Sequence, residues 1–220
     1  MNPNNPTRLH KMIFRLIPNF LLFRYYGKLK IFQFIKETRN TQTPITIKNW
    51  YNQKVLGKNY GPYWPCHETS TISGWQNIYC GIETCPGYSP GNYISAYYGK
   101  IFIGDYTQIG PNVGMIAANH DVYDNAKHIE SKIKIGEYCW IGMGAVILPE
   151  VVLGDFTIVG AGAIVTKSFE EGYCVIGGNP ARKIKDLDKE KCIRSKSNHE
   201  YNGYIPSSEF HEFRKKHLNV

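Results

Sequence analysis

Cysteine pairs, metal spacings and long apolar runs are all missing from this 220-residue chain. Its six cysteines (Cys66, Cys80, Cys85, Cys139, Cys174, Cys192) form no CxxC pair and no zinc-like spacing, so they read as reduced thiols rather than a disulfide framework or a metal site. No GxSxG elbow is present to carry a nucleophilic serine. The apolar stretch near the start is studded with Arg, Lys and Pro18, which rules against both a spanning helix and a cleaved signal peptide. The expected location is cytoplasmic.

Acid is scarce at the start of the chain. From Arg8 to Arg39 eight basic residues (Arg8, Lys11, Arg15, Arg24, Lys28, Lys30, Lys36, Arg39) face one acid, Glu37, so this segment holds +7 of a formal +8. Aromatic and aliphatic residues fill the spaces, among them Phe14, Phe20, Phe23, Tyr25 and Phe32. A segment of this kind can lie peripherally on the anionic inner face of a membrane. It can equally pack as a helix on its own assembly or stand as a solvated cationic face, and the pattern leaves all three open. No groove-reading or base-stacking motif accompanies the charge, so nucleic acid is not an expected partner.

What the chain has is a period of six. Ile103, Ile109 and Met115 are spaced by it, and so are Ile135, Ile141, Ile147, Leu153, Val159 and Val165. Glycine follows six of these nine, and four residues on stands a small or β-branched residue in seven (Thr107, Val113, Cys139, Ala145, Val151, Thr157, Ala163). Neither a helix nor an alternating strand repeats every six residues, whereas short strands turning around a prism do. The aliphatic residue should point inward, the small one should fill the remaining interior, and the glycine should turn the backbone through φ values that side chains avoid. Three hexads close a coil of eighteen, which stacks Ile135 on Leu153, Ile141 on Val159 and Ile147 on Val165. An ordinary β-sandwich would not hold nine positions in phase.

The beat breaks once. A coil begun at Ile103 should hand over at 121, yet the next begins at Ile135, so the fourteen residues 121–134 are inserted and His120 stands at their edge. This excursion is polar (Asp121, Tyr123, Asp124, Asn125, Lys127, His128, Glu130) and suits contact with a hydroxylated acceptor. Around the repeat region, 61–180, lie a basic, mainly helical segment, 1–60, with a helix near 8–38, and a helical cap, 181–220, with helices near 186–196 and 207–217. Residues 61–102 are rich in turn residues and should form irregular first coils.

Ile-Gly-Pro-Asn-Val at 109–113, Ala-Asn-His-Asp at 118–121, Trp-Ile-Gly-Met-Gly-Ala at 140–145, Val-Gly-Ala-Gly-Ala-Ile-Val-Thr-Lys at 159–167 and Gly-Asn-Pro-Ala-Arg at 178–182 together resemble the hexapeptide-repeat acyltransferases, of the maltose, galactoside, xenobiotic and capsular-polysaccharide O-acetyltransferase type. The resemblance implies a left-handed parallel β-helix with helical flanking segments, assembled as a homotrimer that takes acetyl-CoA and acetylates a sugar or cell-surface polysaccharide hydroxyl without a metal. It makes His120 the general base, since neutral imidazole can accept the hydroxyl proton near neutral pH. Asn119, Asp121 or a backbone carbonyl would fix the ring tautomer. It places the coenzyme against Trp140, Gly142 and Ala161, with Thr166, Lys167 and Arg182 at its phosphates. For the acceptor the candidates are Asn92, Tyr97 and Tyr98, with Tyr123 and Asp124 in the excursion. Other uses of the scaffold are amino-sugar N-acetylation, a zinc carbonic-anhydrase-like site drawing on His67, His120 and His128, and a non-catalytic β-helix.

Overall fold

The computed structural model describes residues 33–220. Most of the basic segment and of the helix expected near 8–38 lies outside them; helix α1 (Gln33–Glu37) is the described remainder. Helix α2 (Ile47–Trp50) starts at Thr46, whose hydroxyl accepts from the Asn49 amide as an N-cap, and runs on into a π-turn at Tyr51–Val55.

From Thr71 onward the chain winds through short strands that build three parallel faces. The first holds β1 (Thr71–Ser73), β3 (Tyr93–Ser95), β6 (Gly114–Ile116), β11 (Val146–Ile147) and β14 (Ile164–Val165). The second holds β2 (Ile78–Cys80), β4 (Lys100–Ile103), β9 (Lys132–Ile135) and β12 (Val152–Leu153), and the third β5 (Gln108–Ile109), β10 (Trp140–Ile141), β13 (Thr157–Val159) and β15 (Cys174–Gly177). Ile135 pairs with Leu153, Ile141 with Val159 and Ile147 with Val165, eighteen residues apart. Across the break the same ladder joins Ile103 to Ile135, Ile109 to Ile141 and Met115 to Ile147, each offset by eighteen plus the inserted fourteen. The first coils are longer than eighteen, as Ile78 pairing with Ile101 and Ile72 with Ile94 show.

Every aliphatic residue of the beat is buried, as are the seven small or β-branched partners, so the prism is filled by its own repeat. The glycines do not act as the sequence argument supposed. Gly104, Gly136 and Gly142 have ordinary φ values; a Cβ on Gly136 would instead stand 2.6 Å from the Asp155 amide nitrogen, and one on Gly142 2.7 Å from that of Ala161. They are glycine because the next coil's backbone passes there. The left-handed backbone falls two residues later in the hexad, and side chains occupy it: Tyr106, Asn112, Tyr138, Glu150 and Phe156 all have positive φ, alongside Gly144 and Gly162. Turning therefore costs the repeat some strain, which the ladder on both sides imposes.

The inserted stretch is a hairpin. Strands β7 (Ala118–His120) and β8 (His128–Glu130) pair antiparallel with His120 opposite His128. The chain has rejoined the prism by Lys132, where β9 pairs with β4 and Ile133 is fully buried. In space the excursion thus spans 118–130 rather than 121–134.

After the last coil β16 (Arg182–Asp186) folds back antiparallel on β15. The helix expected near 186–196 is reduced to one 3-10 turn, Lys189–Lys191. The chain here is held by side chains instead of its own backbone. Tyr106, Tyr138, Phe156 and Tyr173 stack down one corner at centroid spacings of 5.1 Å, Arg194 lies over Tyr138 and Phe156, and its guanidinium forks to Glu137 and Asp155. The strap reaches the first coil through the β17 (Tyr201–Asn202) and β18 (Ile205–Pro206) hairpin and ends in helix α3 (Ser207–His217), whose Phe210 packs on Tyr63 and Tyr79.

Candidate functional site

The hairpin projects from the prism: all of β8 and most of β7 are exposed, and even its apolar residues Val122 and Ile129 stay outside the core. His120 ends β7, exposed, with Nδ1 2.6 Å from the Asn125 carbonyl oxygen. A carbonyl only accepts, so Nδ1 carries the hydrogen, and in the neutral ring the lone pair is on Nε2. Of the groups considered for fixing the tautomer, the backbone carbonyl does so. Asp121 turns the other way, its Oδ1 accepting from the amides of Tyr123 and Asp124 to hold the turn, and Asn119 is exposed beside it. Tyr123 stands almost wholly in solvent at the tip, while Asp124 caps the turn through Ala126 and pairs with Lys127 at 3.3 Å.

A second histidine completes the group. His128, a ring 4.4 Å from His120, stacks on Tyr98 at 3.8 Å and 22°, and Tyr97 meets Tyr98 edge-on at 4.8 Å. Tyr97 and Tyr98 sit in the tight turn between β3 and β4, where Gly99 is required because a Cβ would lie 1.8 Å from the Ala117 carbonyl oxygen. They also line a cleft of about 580 Å³ with Asn77, Lys100, Glu130, Lys132 and Glu150. From the sequence His128 was legible only as one polar residue of the insertion and as a member of the zinc alternative, and not as a neighbour of the base. The antiparallel register that sets it against His120 depends on where the hairpin turns.

Asn92 is not available to an acceptor. It is 1 % exposed and its amide donates to the Gly110 carbonyl at 2.8 Å, so it serves the corner. The coenzyme candidates divide between two edges of the prism. Trp140 projects from the third face between Gln108 and Ile158, 59 % exposed, with Gly142 and Ala161 stacked at the corner that follows. Thr166 and Lys167 follow β14 on the first face, whose β6 leads to the hairpin. Lys167 lines a hollow of about 460 Å³ with Lys183, Glu170 and Glu171. Arg182 opens β16 and bonds only to the Ala181 carbonyl beside it in the described contacts. Of the three histidines considered for zinc, His120 and His128 adjoin, whereas His67 bonds Thr69 in the turn before β1, and among the described residues no three His, Cys, Asp or Glu side chains converge.

Residues 132–167 match the family model described as bacterial transferase hexapeptide (six repeats). Nodulation protein L of Rhizobium meliloti is 45% identical over 87 residues, 38% of this chain and 47% of that protein. Galactoside O-acetyltransferase of Lactococcus lactis is 36% identical over 95 residues, 40% of this chain and 45% of that protein. The chain thus spans about half the length of the curated relatives it matches. Among solved structures, a maltose O-acetyltransferase from Clostridium difficile superposes with a TM-score of 0.54 over 75% of this chain and 92% of that one, at 23% identity, a likeness of fold.

Proposed function

We propose that this chain, whose residues 132–167 carry the hexapeptide repeats of bacterial transferases, is an acetyl-CoA-dependent O-acetyltransferase on a left-handed parallel β-helix. Its acceptor is a sugar hydroxyl, such as that of a cell-surface polysaccharide unit. The observation that carries the reading is the state of His120: an exposed side chain in the hairpin that interrupts the repeat, with Nδ1–H tied to the Asn125 carbonyl so that the lone pair is left on Nε2.

The geometry supplies what the reaction needs. As the acceptor oxygen attacks the thioester carbonyl carbon, its proton must leave; Nε2 takes it, the carbon–sulfur bond breaks, and the imidazolium returns the proton to the departing thiolate. The Asn125 carbonyl accepts from Nδ1–H throughout and so holds the orientation of the ring. Tyr97 and Tyr98 offer flat apolar surface for a sugar ring, and the charged and polar groups of the cleft offer partners for its hydroxyls. Acetyl-CoA would lie along Trp140, Gly142 and Ala161, where small residues let a ligand approach the backbone, with Thr166, Lys167 and Arg182 at its phosphates. Those groups occupy two edges of one prism, so the reading includes a homotrimer in which neighbouring prisms close the groove.

The test is thiol release from acetyl-CoA against a panel of sugars. His120→Ala should keep fold and coenzyme binding yet lose turnover by a factor on the order of a hundred or more; full turnover would overturn the assignment. An acetyl group lost from the product in mild alkali marks an ester, and one retained marks the amino-sugar N-acetylation.

A further inference from the structure

A general base on an exposed hairpin needs more than one hydrogen bond to stay aimed. The Asn125 carbonyl that holds Nδ1 belongs to the same hairpin as His120, so that bond orients the ring within the hairpin and does not tie the hairpin to the prism. The residues of β8 are all exposed, and none of them enters the core of the prism. What spans the gap is His128. It stands directly opposite His120 in the antiparallel register, its ring tilted against the base at 4.4 Å and 47°, and it also stacks on Tyr98 at 3.8 Å and 22°. Tyr98 is on the prism, between β3 and β4, and is braced edge-on by Tyr97. Tyr97, Tyr98, His128 and His120 thus form one continuous run of rings from the scaffold to the base, and its first two members line the 580 Å³ cleft.

We infer that His128 is a positioning residue: in contact with both Tyr98 and His120, it registers the base on the hairpin to the cleft in which the acceptor is held. The inference rests on reading His120 as the base. It assigns His128 no proton to carry, because its role is met by a flat ring of suitable size. The aromatic contacts are of the kind worth two- to about tenfold in an equilibrium, and a base misplaced by a fraction of an ångström loses rate without loss of substrate affinity. A ring that holds geometry should therefore act on kcat more than on KM.

The test compares His128→Ala with His128→Phe in the full chain. His128→Ala should lower kcat about tenfold and leave the KM for acetyl-CoA unchanged, and His128→Phe, which keeps the stack and removes both nitrogens, should recover most of the loss. A wild-type kcat in His128→Ala would overturn the inference, and so would a His128→Phe as impaired as His128→Ala, since that result would give the imidazole nitrogens a chemical role. A readout free of turnover separates this inference from the functional reading. Nitrogen-15 relaxation of the backbone amides should show Asn119 and His120 as ordered as β6 in the wild type and in His128→Phe, and less ordered in His128→Ala, while the Nδ1–H tautomer set by Asn125 stays the same in all three. Unchanged order of these amides in His128→Ala would refute positioning whatever the protein acetylates.

Discussion

Gly136 gives the sharpest test of how the prism is built. Its φ is ordinary, so an argument from backbone freedom predicts that alanine costs little, about 1 kcal/mol or less. The structure predicts otherwise. A Cβ there would meet Asp155 Oδ1 at 2.5 Å, the Asp155 amide nitrogen at 2.6 Å and the Gly154 carbonyl carbon at 2.7 Å. Ordinary contact begins at 3.4 Å, so the two coils must part locally by about 0.8 Å. That would stretch the Gly136 N–H bond to the Leu153 carbonyl, now 2.8 Å, and the Glu137 N–H bond to Asp155 Oδ1, now 2.9 Å, to about 3.6 Å, where neither is a hydrogen bond. Two lost bonds at about 1 kcal/mol each and an overpacking strain of about 1–3 kcal/mol give a loss of about 3–5 kcal/mol. For a chain of this size that is a fall in Tm of roughly 6–20 °C. The control is Gly162→Asn. Gly162 has φ +67 and nothing within 4 Å of its would-be Cβ, and Asn112 already holds the equivalent left-handed position two coils below. It should cost about 1 kcal/mol or less, because asparagine tolerates this backbone. Thermal unfolding of both at one protein concentration decides the matter. If Gly136→Ala unfolds within a few degrees of wild type, or Gly162→Asn proves the worse of the two, the account of the repeat glycines is wrong.

Two further predictions concern titration. Burial pushes the Lys54 ammonium down from 10.5 to about 8, with its Nζ donating to the Tyr60 and Pro62 carbonyls. Between those values the unfolded chain holds a proton that the folded chain has released, so this group makes stability rise with pH there and impose its full penalty below about 8. From pH 7.5 to 9.5 wild type should gain about 1 kcal/mol relative to Lys54→Met, after allowance for solvent screening of a partly exposed group; parallel denaturation curves for the two would refute it. Burial also pushes the Cys85 and Cys139 thiols up to about 12 and those of Cys66 and Cys80 well above the ordinary value. The native protein at neutral pH should therefore take up an alkylating reagent at half-exposed Cys192 alone. Modification at Cys66, Cys80, Cys85, Cys139 or Cys174 before unfolding, read by peptide mass, would contradict that burial.

The prism was legible because its information is local. Ile135, Ile141 and Ile147 sit where a coil of eighteen requires, and each finds its partner by counting. The insertion was legible as a number of residues for the same reason. Its shape was not, since 121–134 as a count became a hairpin over 118–130 once β7 and β8 paired across a turn that no repeat encodes. The strap misled in the opposite sense. Its charged sequence near 186–196 has the look of a surface helix, yet Arg194 finds Glu137, Asp155 and a stack of rings far away in sequence, and these contacts hold the chain extended. Asn92 carried a polar side chain to the right neighbourhood, but burial turned it to the backbone.

Sequence alone determined the period, the coil length, the single interruption and the place of His120 beside it, because a repeating ladder ties position in the chain to position in space. Only the tertiary structure decided which nitrogen of His120 is free, which ring lies against it, and which residues occupy the left-handed corners. Those depend on a carbonyl five residues away, a histidine brought opposite by antiparallel pairing and a tyrosine on another face of the turn. Contacts of that kind are set by how the backbone crosses itself, and no spacing along the chain records them.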